Sequence, residues 1–405
     1  MSFLQMAEGI EKQIVQFRRH FHQYPELSFS EYKTAAFISN LLEDYGIEVQ
    51  RNVAGTGVIG LIKGHLPGKT IALRADMDAL PIDEATNLDF ASCHPGIMHA
   101  CGHDLHMAVL LGSAILLSQC KHKIKGNVKL IFQPGEEKLT GAKEVIEAGV
   151  LENPRVDAII ALHCWPELPA GMIGIRRGPI TAAADFLEIT IKGNTGHAAH
   201  PHQCVDPIVI AGHVVSALQT IVAREISPSE PAVVTIGKIN GGTASNVIPE
   251  GVTLSGMVRT VNAELQKRMP EMIERIVCKT AESMRGDAEL AYTSATPPLI
   301  SDDRMVDLID RVVRDILGED RLVYLENPSL GSEDFSIYTE KIPGVLFRLG
   351  THNEKRESKA ALHNASVIFD EKALTIGTAV MSESAVRYLE NMNLTESHTV
   401  KGTSC

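Results

Sequence analysis

Along the first 165 residues the apolar positions follow two different spacings. A spacing of three to four residues, which places apolar side chains on one helical face, predicts helices at residues 4–23, 30–45, 104–119 and 141–149. Short apolar runs typical of buried strands lie at residues 57–63, 69–75, 127–133 and 156–163. Helices that lie between such strands predict an α/β domain around a central sheet.

A second pattern begins near Phe186. It consists of a strand, a long helix, two strands, a long helix and a strand, with the helices at Asp206–Glu225 and Ala263–Met284. This order predicts an inserted α+β domain of the βαββαβ, ferredoxin-like kind at residues 185–295. The earlier pattern resumes afterwards, with a last helix near 370–391, so residues 1–184 and 296–405 are expected to form one discontinuous catalytic domain.

The composition and net charge of the chain limit the kinds of molecule that it is expected to bind. The chain has 405 residues and a formal net charge of −12, whereas a nucleic-acid or membrane partner would favour a basic face. A small-molecule substrate fits this charge better. The seven cysteines are odd in number and scattered, and no signal peptide is visible, so we expect a cytoplasmic protein without a disulfide framework.

Side chains suited to metal chemistry lie in separate segments, several of them directly after a predicted strand. They are Cys101, His103, Glu136, Glu137, His163 and His363. Zinc and similar metals bind thiolate, imidazole and carboxylate together, and a carboxylate left free of the metal can act as a general base. In open α/β sheets, ligands gather beyond the strand ends. The set therefore predicts a metal-assisted hydrolase.

Each of these residues, taken alone, also has a structural interpretation. A cysteine is more often core than ligand, paired glutamates are usually solvated, and a histidine at the end of an apolar strand is usually hydrogen-bonded in the core. The occurrence of all six residues together therefore favours a metal-assisted hydrolase over these structural roles.

Nine short motifs are spread along nearly the whole chain. They are RRHFHQYPELS (18–28), LRADMDALP (73–81), MHACGHDLH (98–106), FQPGEE (132–137), LH (162–163), GHAAHP (196–201), SNVIPE (245–250), GSEDF (331–335) and LHN (362–364). These motifs resemble the binuclear metallopeptidases that include aminoacylases, carboxypeptidase G and succinyl-diaminopimelate desuccinylase. The resemblance is strongest to the branch of hippurate, N-acetyl-amino-acid and indole-3-acetyl-amino-acid hydrolases.

The resemblance implies a zinc-peptidase-like catalytic domain with a central mixed sheet, and an inserted domain that serves in dimerisation and as a lid. It also implies two divalent metal ions per subunit: zinc, or else manganese, cobalt or nickel. The implied metal ligands are Cys101, His103, Glu137, His163 and His363. Glu136 would then be the general base, and Asp78 a carboxylate that orients the site.

The resemblance gives further roles to the inserted domain. His197 from the second subunit would donate to the oxyanion, so that the site would be complete only in a homodimer. Asn246 and Arg259 would bind the free carboxylate of the substrate. His197 could instead be solvated or part of a local metal cluster with His200 and His202, and Arg259 could form a salt bridge within the domain.

The leading hypothesis is a metal-dependent amidohydrolase that releases a free amino acid and a carboxylate from an N-acetyl, benzoyl or similar N-acyl amino acid. A dipeptidase or carboxypeptidase with the same binuclear site is the first alternative. A catalytically silent binding protein is the second, and it would bind no metal at purification or after reconstitution.

Overall fold

The structure is a computed structural model that describes residues 1–352 and 360–399. The helices, numbered α1 to α10 in chain order, are Phe3–Gly9, Glu11–Gln23, Tyr32–Asp44, His103–Gln119, Gly141–Glu147, Pro207–Thr220, Ala263–Ser283, Asp303–Ile316, Ser336–Thr339 and Lys372–Thr399. The strands, numbered β1 to β16, are Glu48–Val53, Gly57–Lys63, Leu66–Asp76, Lys125–Gln133, Ala158–Pro169, Ile173–Ile175, Gly178–Thr181, Ala184–Lys192, Gly196–His197, Ala232–Gly241, Val247–Ile248, Gly251–Thr260, Asp287–Thr296, Leu299–Ser301, Leu322–Tyr324 and Gly344–His352.

The chain divides into two compact units. The first comprises Met1–Gly178, Ile300–Asn327 and Ile337–Cys405, and the second Pro179–Leu299 and Pro328–Ser336. The sequence expectation had placed the short segment Pro328–Ser336 with the catalytic residues. It belongs to the second unit because backbone hydrogen bonds hold it there: the N–H of Ala182 donates to the carbonyl oxygens of Ser329 and Gly331, at 3.1 and 3.0 Å.

Eight strands of the first unit form a mixed sheet in the order β1-β2-β4-β3-β5-β16-β6-β15. The central strands β4, β3, β5 and β16 are parallel, whereas β2 pairs antiparallel with β4 and with β1. This sheet confirms the predicted α/β fold class. Because parallel strands end at the same edge, the segments that follow β3, β4 and β5 are brought together there.

Helix α4 forms the centre of the first unit's core. All its residues from His103 to Leu117 are buried, and it packs on α2 and α10. A helix that is apolar all round is expected in such a position. Gly112 allows the close approach, because a Cβ atom there would lie 2.9 Å from Thr378 Oγ1 and 3.0 Å from Ile14 Cδ1.

The predicted helix at residues 4–23 is two helices. Ile10 leaves the helical conformation with φ −115° and ψ 13°, and it ends α1 and precedes α2. The preceding Gly9 has no side chain to favour a continuous helix, which accounts for the break at this point.

The second unit has an antiparallel sheet in the order β10-β12-β8-β13. Helices α6 and α7 pack against the sheet, with Val214 and Val277 in a core that includes Ile189 and Leu254. The strand and helix order is that of the predicted βαββαβ, ferredoxin-like arrangement.

The helical segment at residues 207–225 consists of α6 and a following π-helical turn, Ile221–Glu225. It is the single described helix long and apolar enough to cross a membrane by length and composition, and 33% of that window is buried. One such helix is weak support for a membrane span, because core helices of soluble proteins pass the same test. Its buried side belongs to the core of the second unit.

We expect Gly102→Ala to lower the stability of the fold more than Gly149→Ala does. Both glycines have a φ of 85°, where an alanine costs roughly 1–2 kcal/mol. At Gly102 the new Cβ atom would also lie 2.2 Å from Cys164 Sγ, whereas nothing lies within 4 Å at Gly149. Overpacking of this kind typically adds about 1–3 kcal/mol.

Urea unfolding followed by circular dichroism would compare the two variants. Gly149→Ala serves as the matched control for the backbone conformation alone. Equal unfolding midpoints would show that the loop before α4 relaxes without cost, contrary to the expectation.

Candidate metal centre

The five expected metal ligands all lie in the first unit. Cys101 lies just before α4 and His103 is the first residue of that helix. Glu137 lies in a 3-10 turn that follows β4, and His163 lies within β5. His363 follows β16 in the chain, and its N–H donates to the carbonyl oxygen of Ala100 at 3.0 Å. The sheet edge therefore gathers segments that are far apart in sequence.

The donor atoms of these five residues form one cluster. Cys101 Sγ lies 3.5 Å from His163 Nε2 and 3.3 Å from His363 Nε2. Glu137 Oε1 lies 3.6 Å from His363 Nε2 and 3.9 Å from His103 Nε2. Two ligands of one tetrahedral zinc ion are roughly 3.3–3.8 Å apart, given bonds of about 2.0–2.3 Å. The spacing suits metal coordination.

Hydrogen bonds fix the tautomers of two of the imidazoles. The Nδ1–H of His103 donates to the backbone carbonyl of Asp78, and that of His163 donates to the carbonyl of Cys164, each at 2.8 Å. The Nε2 atom of each ring is therefore directed at the cluster, which is the usual arrangement for metal-binding histidines.

Two buried atoms in the cluster have no hydrogen-bond partner. They are His103 Nε2 and Glu137 Oε1. Buried polar atoms without partners are costly, and an ion bound to both would satisfy them. The donor set of thiolate, imidazole and carboxylate also fits zinc and related divalent metals. On both counts the residues fit a metal.

Burial in the cluster shifts the pKa values of its thiol, carboxyl and imidazole groups. Burial raises the pKa of Glu137 to about 7. Burial, reinforced by the carboxylates of Glu137 and Glu136, raises the pKa of the Cys101 thiol well above its usual value. Burial and the neighbouring His106 hold the pKa of His163 well below its usual value, so that ring is neutral and able to coordinate. A divalent cation would favour the ionised thiolate and carboxylate.

Asp78 holds the turn that carries both glutamates. Its Oδ1 accepts the backbone N–H of Glu136 at 3.1 Å and its Oδ2 that of Glu137 at 3.0 Å. The hydroxyl of Ser28 donates to Oδ2 at 2.7 Å. The backbone carbonyl of Asp78 also accepts from His103 at the start of α4. Asp78, which follows strand β3, therefore links that strand to helix α4 and to the turn. Asp78 thus fixes the backbone of both glutamates, and its orienting role in catalysis stays a prediction.

The carboxylate of Glu136 is buried at the edge of the donor cluster. Its Oε2 lies 4.0 Å from His103 Nε2. It is thus close enough to reach a water molecule held at the cluster, as a general base must.

His106 is a buried residue beside the cluster that the sequence did not single out. Its Nδ1–H donates to Asp76 Oδ1 at 2.6 Å, and its Nε2 accepts the N–H of Cys164 at 2.9 Å. Asp76 also accepts from Arg74 Nη1 at 2.8 Å. Both ring nitrogens of His106 are therefore occupied. Its spacing of three residues from His103, which places both on one helical face, was the available signal.

Asp104 interacts with the N-terminal helices. Its Oδ2 accepts from Arg18 Nε at 3.0 Å and from His22 Nδ1 at 2.9 Å, and all three side chains are buried. The Arg18–Asp104–His22 group ties α2 to the first turn of α4 next to His103. Removal of one partner from such a group leaves a buried charge without compensation, which typically lowers the folding stability by about 3–5 kcal/mol.

The remaining predicted site residues lie in the second unit. His197 is in β9, which pairs with β11, and the N–H of Ala198 donates to the carbonyl of Asn246 at 3.0 Å. Asn246 and His197 are therefore neighbours on an exposed surface. His197 Nδ1 accepts the N–H of Ala199 at 3.0 Å, so a neutral ring carries its proton on Nε2. Arg259 lies separately in β12.

Comparison with known proteins gives matches over almost the full chain. The N-acetyl-L-cysteine deacetylase of Bacillus subtilis is 41% identical over 94% of this chain and 89% of its own length. Thermostable carboxypeptidase 1 of Saccharolobus solfataricus is 40% identical over 94% and 96%. A Bacillus subtilis crystal structure, described as a dinuclear metal-binding peptidase from the M20 family, has a TM-score of 0.84 with 39% identity over 95% of this chain and 99% of that one.

The family model for peptidase family M20/M25/M40 matches residues 72–387. This match confirms the resemblance drawn from the sequence motifs, and it includes all five candidate ligands. The protein is a hydrolase that acts on amide bonds, and it belongs to peptidase family M20/M25/M40.

Proposed function

We propose that this metal-dependent amidohydrolase cleaves the amide bond of N-acyl amino acids and releases a free amino acid and a carboxylate. The buried cluster of Cys101, His103, Glu137, His163 and His363, with the buried carboxylate of Glu136 at its edge, carries the proposal. The deacetylase from Bacillus subtilis supports an N-acyl amino acid as the substrate.

Two divalent ions would be held by the five residues of the cluster. Two groups of potential ligands share Cys101: one adds His103 and His163, and the other adds Glu137 and His363. Cys101 would therefore be available as a ligand to either ion. Zinc suits the mixed donor set, and manganese, cobalt or nickel are the alternatives. The structural relative described as dinuclear supports this number.

The chain's own groups would move the protons. Bound divalent ions supply Lewis-acid chemistry, since they polarise a carbonyl and acidify water. Glu136 would accept the proton of the attacking water and deliver it to the departing amine nitrogen. Asp78 would keep Glu136 in position through its backbone N–H. His197, with its proton on Nε2, is suited to donate to the developing oxyanion.

Substrate recognition is assigned to the second unit. Among the residues that the structure describes, Nη1 of Arg259 is buried without a hydrogen-bond partner, and Asp185 influences the guanidinium through its charge without a hydrogen bond to Nη1. This disfavours the alternative of a close salt bridge. A guanidinium in this state can bind the planar carboxylate of a substrate through two parallel hydrogen bonds. Asn246 would contribute a further polar contact.

A homodimer through the second unit accounts for its exposed apolar residues. Ile208 and Val209 on α6 are 49% and 52% exposed, and Ile239 on β10 is 57% exposed. Strand β10 is also an edge strand, with unpaired backbone groups on its outer side. A second copy that covers both elements would bury this surface, and His197 would serve the site of the partner.

A cytoplasmic location and a small-molecule substrate, without a nucleic-acid or membrane partner, complete the proposal. The six described cysteines are free thiols, the state that cytoplasmic reductants maintain. Recovery of the native protein from a membrane or periplasmic fraction would contradict this location.

A carboxypeptidase activity is the second candidate, because the archaeal carboxypeptidase is as similar as the deacetylase. Both substrate classes carry a free carboxylate next to the amide that is cleaved. Assays with N-acetyl amino acids and with N-blocked dipeptides, each with added zinc, manganese, cobalt or nickel, would separate the two. A preference for the dipeptides would favour the carboxypeptidase.

We expect Glu136→Gln and Glu137→Gln to fail in different ways. Glu136→Gln should lower kcat by about 100-fold or more while zinc content is kept, because an amide cannot carry the proton. Glu137→Gln should lower zinc content, because it removes an anionic ligand. Metal analysis and steady-state kinetics on one N-acetyl amino acid would measure both effects.

Chelation of the wild type provides the control, since it should abolish activity that added metal restores. Near-normal turnover of Glu136→Gln would refute its role as the base. Unchanged zinc content of Glu137→Gln would refute its role as a ligand.

Co-expression should test whether His197 acts across the dimer. His197→Ala and Glu136→Gln homodimers should each be almost inactive. A heterodimer of the two variants has one site with both groups intact, so about half of the wild-type activity per dimer is the upper limit. Differently tagged subunits would isolate the heterodimer, and no recovery of activity in it would show that His197 does not serve the partner subunit.

Arg259→Lys should impair hydrolysis of N-acyl amino acids with little change in thermal stability, because lysine lacks the planar fork. Substrates whose carboxylate is replaced by a carboxamide should be poor for the wild type and lose little more in the variant. The ratio of kcat/KM for the two substrates is the measurement. An equal loss on both would show that Arg259 supports the fold or the chemistry instead.

A further inference from the structure

The backbone N–H groups of three successive residues, Gly135, Glu136 and Glu137, each donate a hydrogen bond to a carboxylate. Gly135 donates to Glu31 Oε1 at 3.1 Å, while Glu136 and Glu137 donate to the two oxygens of Asp78. Gly135 has the left-handed conformation, with φ 67° and ψ 29°. Successive N–H groups in such a turn converge and bind anions. Two carboxylates therefore hold this turn by its backbone.

Glu31 is used in an unexpected way. It occupies the N-cap position of α3, yet its side chain makes no capping hydrogen bond to that helix. The side chain is fully buried, and Oε2 accepts the hydroxyl of Thr56 at 2.5 Å. Capping side chains are ordinarily the shorter Asp, Asn, Ser or Thr, which accept a backbone N–H of their own helix. The longer Glu31 side chain instead accepts from a residue 104 positions further along the chain.

The ring of Phe29, two residues before Glu31, packs directly against the start of the turn. A Cβ atom on Gly135 would lie 2.4–2.8 Å from three ring carbons of Phe29. Phe29 itself has a φ of 62°, a conformation that a large side chain rarely adopts. The segment at residues 29–31 is therefore fitted closely against the start of the turn.

We propose that Glu31 is a positioning residue for metal binding and catalysis, which acts by holding Gly135 so that Glu136 and Glu137 keep their places at the cluster. The inference rests on the proposed roles of those two glutamates. Asp78 fixes the second and third N–H groups of the turn, and Glu31 fixes the first. Without Glu31, the turn would be held on one side alone.

A purely structural role predicts a different response to substitution. Glu31→Leu leaves the buried N–H of Gly135 and the hydroxyl of Thr56 without an acceptor, and stranding such donors typically lowers the stability of the fold. A purely structural role predicts that loss of stability together with an unchanged zinc affinity of the folded protein. We expect zinc binding to be weakened by about 10–100-fold as well, as loss of a residue that orients a ligand typically does. Glu31→Gln keeps an acceptor for Gly135 and should restore most of the affinity.

Competition with a chromogenic chelator would measure zinc affinity in the full-length variants. Asp157→Leu is the matched control, because Asp157 accepts the N–H of Thr70 at 2.8 Å at the opposite end of β3. That variant should keep the zinc affinity of the wild type. At zinc concentrations that saturate both variants, Glu31→Leu should lower kcat little further in the Glu136→Gln background, since the part of its effect that remains acts through Glu136.

Zinc affinity of Glu31→Leu within twofold of the wild type would overturn the proposal, and so would an equal loss in Asp157→Leu. If Glu31→Leu does not fold, Thr56→Val provides the test, because it frees Oε2 while Glu31 remains. Thr56→Val should weaken zinc binding several-fold and Thr56→Ser should restore it, whereas unchanged affinity in Thr56→Val would again refute the role. Wild-type zinc stoichiometry tests the proposed function separately, and the comparison of affinities needs no knowledge of the substrate.

Discussion

The first unit is organised around the cost of burying thiol, imidazole and carboxylate groups together. Cys101 is buried beside Glu137, and the pKa of each is raised because burial disfavours the charged form. Such a cluster is unfavourable in a protein interior unless a cation compensates the negative charge. The surrounding structure must therefore hold the donors at fixed separations, because relaxation would otherwise spread them apart.

Parallel strands bring the donor segments together, and hydrogen-bonded carboxylates then hold those segments in place. The parallel strands β3, β4 and β5 deliver their following segments to one edge of the sheet. The turn after β4 is then pinned through its backbone by Asp78 and Glu31, and the imidazole of His103 through the carbonyl of Asp78. These hydrogen bonds use the backbone of the turn, whereas the side chains of Glu136 and Glu137 lie at the donor cluster.

The sequence was sufficient for the features set by local pattern. The apolar run of α4, the strands around it and the inserted βαββαβ unit were all predicted, because burial on a regular element leaves a periodic signal. Strand β1 was missed because it lies at the sheet edge with mostly exposed residues. The candidate ligands were recognisable by residue type, whereas Glu31 and His106 were not singled out. Their roles depend on partners such as Gly135 and Cys164, which lie far away in sequence.

The residues proposed for chemistry and those proposed for recognition belong to different units. The candidate metal donors and Glu136 lie in the first unit, whereas Arg259, Asn246 and His197 lie in the second. On this proposal, substitutions in the second unit would alter recognition while the donor cluster of the first unit stays unchanged. The deacetylase and the carboxypeptidase are almost equally similar to this chain, at 41% and 40% identity. Overall similarity thus cannot decide between the two substrate classes, and the residues that face the substrate must do so.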